Sequence, residues 1–177
     1  MTINLHYIDE LISVRRTLHG GQRGAPPLAS GQIRQGESLN RSCIVLLSAI
    51  LQVFVEGVFE RESKHTFSRL LAPTVWDSYW KQIGRPGNPS DENIKKLFLR
   101  IGIPDVFVGL SWQGTNTTKI KQNLKLLNEL RNGIAHGRSV LRSNNRRYGL
   151  TLAEVVRLRD FAEHFGQRFE HHVQSFR

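Results

Sequence analysis

The sequence predicts an all-α fold, a single-domain helical bundle. Three observations predict it. Apolar residues recur at three- and four-residue spacing along nearly the whole chain, the period of a helix. No stretch shows clean strand alternation, and no segment repeats. Gly- and Pro-rich stretches cut the pattern into pieces that can pack side by side. At 177 residues there is room for one real core and little for two. Hydrophobic residues make up 39% and charged residues 23%, a globular balance.

The elements follow in order. "INLHYIDELISVRR" sets Leu5, Ile8 and Ile12, with Leu11 beside them, on one stripe. "HGGQRGAPPLASG" then breaks any helix, so residues 1–36 read as an N-terminal helix and loop leading into a bundle over 37–177, one domain overall. From Glu37 to about Arg61 the chain predicts a long helix, apolar nearly all round in its middle and therefore central. Its apolar run Cys43–Val55 is about 13 residues, short of the ~20 that span a bilayer. The first residues lack a basic region followed by a clean apolar stretch, so no signal peptide is expected. The expectation is a cytoplasmic protein with no membrane segment. The lone Cys43 excludes an intrachain disulfide and a two-cysteine zinc site, and reads as a small buried hydrophobe.

"HTFSRLLAPTVWDSYWKQIG" is helical in pattern but interrupted at Pro73, giving two short helices or one kinked one. Trp76, Tyr79 and Trp80 share a face there and read as core or dimer packing rather than a stacking platform. Ser90 is placed to cap a helix running to Gly102, with Asp91 and Glu92 in its first turn. Pro104 restarts the chain. Thr117 or Thr118 is placed to cap the next helix, which buries Ile120, Leu124, Leu127 and Leu130. "GRSVLRSNNRRYG" reads as a basic loop. Thr151 and Glu154 have capping-box spacing, flanked by Leu150 and Val155 as a staple, and open the last helix.

The net charge is +10 and the pI near 10.5. Such a balance attracts polyanions, nucleic acid foremost, and charge alone is equally satisfied by an acidic protein or an anionic membrane. Phosphate-cradling Gly-rich loops, His-Glu-x-x-His and Gly-x-Ser-x-Gly are all missing. No metal-ligand spacing stands out, since Glu170, His171 and His172 read as a solvated helix end. No cofactor is expected.

What remains is "NELRNGIAHGRS" at residues 128–139. Arg131 stands five residues before His136. Spacing alone decides nothing, because Arg159 and His164 share it; those two sit mid-helix, about 140° apart. Arg131 and His136 instead lie where a helix stops. Gly137 suits the left-handed residue after a helix, Gly133 loosens the last turn, and Asn132 is four residues from His136 on the same face. An Arg and a His at a helix C-terminus also serve the dipole and the last carbonyls with no chemistry at all. If they do carry chemistry, RNA suits them. RNA supplies its own nucleophile, the 2′-hydroxyl, so a His can move protons while an Arg holds the phosphate and an Asn orients. One His is thin for both acid and base; a twofold dimer with facing motifs supplies two.

"RNGIAHG" at 131–137 resembles the Arg-x4–6-His signature of HEPN domains, in which a polar residue often follows the Arg. "RSCIVLLSAILQVFVEGVFE" at 41–60 is similar to the long central helix of the RiboL-PSP-HEPN and MAE_28990-like branches, and "NIKKLFLRIGIPDVFVGLSW" at 93–112 and the capped last helix match in character. The resemblance covers about 37–175. It implies an all-α bundle of the HEPN type that forms a C2 homodimer with a composite active site. It further implies a metal-independent endoribonuclease, leaving a 2′,3′-cyclic phosphate and a 5′-hydroxyl, in toxin–antitoxin, abortive-infection or antiphage systems. Carried over, Arg131 and His136 are catalytic and Asn132 supports them. Relatives often carry a Glu near the position of Gln52; here the nearest acid is Glu56, one turn on, so an acidic orienting role moves to Glu56 or is absent. Some HEPN domains are non-catalytic. The alternative is therefore a silent bundle serving as a protein- or nucleotide-binding dimerisation module. Beside the motif, Arg138, Arg142, Arg146 and Arg147 are placed to grip RNA, with Tyr148 to stack on a base. A solvated loop or a patch for an antitoxin or other regulatory protein has the same composition.

Overall fold

The computed structural model describes residues 2–18, 28, 34–68, 75, 78, 79 and 87–177. Their elements run in the order α1 (His6–Leu18), α2 (Glu37–Phe67), α3 (Asp91–Leu99), α4 (Thr117–Ala135), β1 (Arg142–Ser143), β2 (Arg146–Arg147) and α5 (Leu152–Gln174). The fold is the all-α bundle that the apolar period predicts. Most of the Gly- and Pro-rich stretch, the break at Pro73, and Trp76 and Trp80 lie outside the described residues.

α2 is the spine, with α1, α4 and α5 packed around it. Cys43, Ile44, Leu47, Leu51, Phe54, Val55, Val58 and Phe59 are all buried. Burial pushes the Cys43 thiol up to about 11, as suits a residue that packs rather than reacts. By length and composition α2 is apolar enough to cross a membrane, and half of that apolar stretch is covered inside the bundle. One side stays open, where Val45 and Val53 are 39% and 62% exposed and Ala49 lies between them. The helix continues past the expected end near Arg61 to Phe67. Glu62 and Ser63 are buried there rather than solvated. Arg177 pairs with Glu62 at 2.9 Å, and Ser63 Oγ donates to the Phe59 carbonyl at 2.8 Å.

α1 contributes Leu5, Ile8 and Ile12 to the same core. It is tied to α5 by Arg159, which pairs with Asp9 at 2.7 Å and also with Glu163. Arg159 is thus a clamp between helices, while His164 Nδ1 bonds the Asp160 carbonyl at 2.8 Å. Glu170 pairs with Arg61, and His172 Nε2 bonds the Val106 carbonyl at 3.0 Å. Among the described residues no three His, Cys, Asp or Glu side chains gather as metal ligands.

Local chemistry sets the helix ends. Ser90 Oγ accepts from the Asn93 N–H at 3.2 Å, as expected. α4 is capped by Asn116, whose Oδ1 accepts from the Lys119 N–H at 3.0 Å, and not by Thr117 or Thr118. Asn is a better cap than Thr, and the Thr117 hydroxyl is drawn off to the carbonyls of Phe107 and Leu110. Thr151 accepts from the Glu154 N–H at 3.2 Å. The Glu154 carboxylate instead takes bonds from Tyr148 and Arg157.

Phe169 on α5 is the hub of the core. Its ring stacks on Phe165 at 4.6 Å, meets Phe98 of α3 edge-on at 5.5 Å, and lies 6.4 Å from Phe107 and 6.5 Å from Phe54 of α2. Large-to-small changes at such sites lose transfer energy and leave a cavity. Phe169→Ala is expected to cost about 3–5 kcal/mol in urea unfolding; a loss under ~1 kcal/mol would deny that the aromatic cluster centres the packing.

Candidate active site

The last turn of α4 carries the motif, and its closure is well defined. The Gly137 N–H bonds the Ile134 carbonyl at 2.9 Å and the Arg138 N–H bonds the Gly133 carbonyl at 3.0 Å. These two bonds with Gly137 at φ +66° form a Schellman closure. His136 is the C-cap, φ −87° and ψ 13°, with its N–H on the Asn132 carbonyl at 3.0 Å. The His136 side chain is exposed and makes no hydrogen bond to a described residue.

Gly133 has a packing reason besides loosening the turn. A Cβ there would lie 3.1 Å from Leu141 Cδ2. Its absence lets Leu141, 4% exposed, fold back onto α4 and bring the basic segment with it. Arg41 of α2 then holds the exit from the helix. Its Nη1 donates to the Arg138 carbonyl at 2.8 Å and its Nη2 to the Ser139 carbonyl at 2.7 Å, while Glu37 pairs with the same guanidinium at 2.9 Å.

Asn132 is the centre of the polar group. Its Oδ1 accepts from Arg131 Nη1 at 3.2 Å and from Asn88 Nδ2 at 2.8 Å. Its Nδ2 faces Asn128 Oδ1 at 3.5 Å, the limit of a hydrogen bond. The loop bearing Asn88 is fixed by Asn93, whose Nδ2 donates to the Asn88 carbonyl at 2.9 Å. Beside it, Gln52 and Val55 of α2 meet Asn88, Pro89, Asn93 and Ile94 across a crevice with no room for a water. Gln52 Nε2 donates to Glu56 Oε1 at 2.9 Å.

The structure therefore gathers Arg131 and Asn132 with Asn88, and sets Gln52 and Glu56 on the same side. Within the chain it does not join the His136 side chain to Arg131, nor Glu56 to either. Asn88, Arg41 and Asn128 were not singled out by sequence. Asn128 had a signal in its spacing of four from Asn132; Asn88 and Arg41 reach partners 44 and about 97 residues away and had none.

The chain matches the RiboL-PSP-HEPN family over residues 74–175, which includes α3, α4, the hairpin and all of α5. The chain belongs to the RiboL-PSP-HEPN family. In this RiboL-PSP-HEPN chain the signature residues 131–137 fall inside the match, whereas Arg41, Gln52 and Glu56 lie on α2 outside it. No curated protein and no solved structure matches the chain.

The basic segment of this HEPN domain is not a plain loop, as the sequence reading had it. β1 and β2 pair antiparallel, Arg142 with Arg147 and Ser143 with Arg146. Asn144 and Asn145 turn the chain with φ +48° and +63°, the double positive φ of a type I′ turn. Ser143 Oγ at 2.7 Å and the Asn144 N–H at 3.3 Å both donate to Glu129 Oε2, seating the hairpin on α4. Arg138, Arg142, Arg146 and Arg147 are exposed and pair with no described acid. Tyr148 is less free than a stacking ring needs. It is half-buried against the core, and its hydroxyl donates to Glu154. Burial and that bond raise the Tyr148 pKa; burial opposes charge on Glu154, but bonds from Tyr148 and Arg157 outweigh it and hold the carboxylate below its ordinary range.

Gly137→Ala puts a Cβ into the left-handed region and is expected to cost about 1–2 kcal/mol in denaturant unfolding, with Gly137→Asn milder. Equal stability of all three proteins would deny the Schellman closure.

Proposed function

We propose that the chain is a metal-independent endoribonuclease of HEPN type, working in the cytoplasm as a toxin or antiphage-defence effector. The observation that carries the reading is the paired Arg131–Asn132 side chains, braced by Asn88, in the same helix end as an exposed, unbonded His136. Arg131 has no described acid to neutralise it, so its charge is available to a phosphate. Exposed arginines of the hairpin continue the positive surface and suit the RNA backbone.

The chemistry uses the substrate's own nucleophile. The RNA 2′-oxygen attacks phosphorus as its proton passes to a His; the bond from phosphorus to the 5′-oxygen breaks, and that oxygen takes a proton from a second His. The products are a 2′,3′-cyclic phosphate and a 5′-hydroxyl. Arg131 stabilises the charge on the phosphoryl oxygens, and Asn132 fixes the guanidinium. Two His per cleft require two chains. The open face of α2 at Val45, Ala49 and Val53 offers apolar surface for a twofold contact, beside Gln52. Glu56 accepts a hydrogen bond from Gln52 and is the acid to which an orienting role would fall. A partner protein such as an antitoxin would act by covering the same surface.

Two observations favour a second reading, a silent dimerisation or binding module: Gln52 cannot ionise, and the His136 ring makes no hydrogen bond to Arg131 or Asn132 within the chain.

The two readings separate in one experiment. Wild type is expected to cut RNA in EDTA and arrest growth when expressed in bacteria. His136→Ala should lose at least 100-fold in cutting rate, with fold and sedimentation unchanged. Val53→Arg should shift sedimentation to the monomer and lose cutting with it. RNA left intact by wild type supports the silent module, and activity that EDTA abolishes removes the proposed mechanism.

A further inference from the structure

A groove lies apart from the helix end that bears Arg131 and His136. It lies between the turn 112–115, the first turns of α4 and the middle of α5, with a volume of about 450 Å³. That is within the size range of ligand-binding clefts and ample for one base.

Its walls have a consistent chemistry. Trp112 is held by reciprocal backbone bonds with Thr115, at 3.0 and 2.8 Å, across a turn that needs Gly114 at φ +75°. Its indole leans on Phe161 at 6.1 Å. The His164 ring lies nearly parallel to the indole, 12° apart with centroids 6.4 Å distant. That is the loose end of the range of about 4.5–7 Å for packed rings, so neither ring is fully used by the other. The Asp160 carbonyl can only accept, so His164 Nδ1 carries the proton and Nε2 is left for a ligand. Lys119 bonds the Gly114 carbonyl at 2.9 Å and pairs with no described acid. Gln122, Asn123 and Asp160 add donors and acceptors at the rim. Aromatic faces, an uncompensated ammonium and amide edges are what a nucleotide uses: stacking for the base, charge for the phosphate.

The groove and the basic hairpin both lie along α4. Gln122 and His136 are 14 residues apart on α4, about 21 Å along the axis and within about 40° of one face. Glu129 lies midway between them and seats the arginine hairpin. From the hairpin, bonds run from Tyr148 to Glu154, on to Arg157, and from Arg157 Nη1 to Asn123 Oδ1 at 2.8 Å.

We infer that this groove is an exosite that stacks one unpaired base of the RNA strand whose backbone crosses the hairpin to the Arg131–His136 end. The inference rests on the RNase reading and deepens it: the substrate is single-stranded over the span between the two sites. A base inside a duplex cannot reach Trp112.

The test measures binding of a fluorescent single-stranded RNA 12-mer by anisotropy, on a His136→Ala background so the strand stays whole. Trp112 packs on Phe161 and its removal risks the fold, so the variants are His164→Ala and Lys119→Ala, both at exposed positions. Each is expected to weaken single-strand binding about tenfold and leave duplex binding within twofold. Unchanged single-strand affinity in both variants, while wild type still cuts RNA, overturns the exosite and spares the RNase reading. Equal losses for duplex and single strand also overturn it, since only charge would then be involved. Failure of the His136-intact protein to bind or cut any RNA removes both.

Discussion

The structure depends on covering one helix. α2 is 31 residues long, and its middle is apolar on most sides. Water must be excluded from Ile44 through Phe59, and the chain does this with α1, α4 and α5. That arrangement fixes the site as a consequence. Arg41 near the start of α2 grips the carbonyls just past α4. About two and a half helical turns beyond Cys43, Gln52 faces the Asn88 loop that braces Asn132, and it donates to Glu56. The same packing leaves Val45, Ala49 and Val53 uncovered, so the spine of the fold also presents an apolar strip to solvent.

Rigidity and openness are divided within a few residues at the end of α4. Arg131 and Asn132 are held by side-chain bonds, and Gly137 and Arg138 by backbone bonds. Between them the His136 ring is unrestrained. The proposed role in proton transfer across two chains calls for a ring left open in this way. The hairpin is divided in the same way: Glu129 and Leu141 fix its base, while its arginines stay exposed and pair with no described acid.

Much of this was legible in the sequence, and the gaps have physical causes. Ser90, Thr151 and Gly137 act where they stand because capping is local chemistry. Cys43 packs as its apolar neighbours imply. The end of α2 was placed too early because the apolar run stops before Glu62, whose burial is matched by Arg177, 115 residues on. The α4 cap was assigned one or two residues late, to Thr117 or Thr118, because two threonines drew attention from Asn116. The Asn144–Asn145 turn carried its own signal, since Asn tolerates positive φ, but two-residue strands have too little pattern to show alternation. The helix end that bears Arg131, Asn132 and His136 was legible from Gly137. Asn88 was not, because nothing in a loop names a partner on another helix.

The most direct measurement is the chemistry of the cut ends. RNA incubated with the protein in EDTA should yield fragments bearing 2′,3′-cyclic phosphate and 5′-hydroxyl termini, and a strand with 2′-deoxy sugars throughout should remain intact. Fragments ending in 3′-hydroxyl and 5′-phosphate, or cleavage of the 2′-deoxy strand, would contradict a mechanism in which Arg131 and His136 act on RNA's own nucleophile.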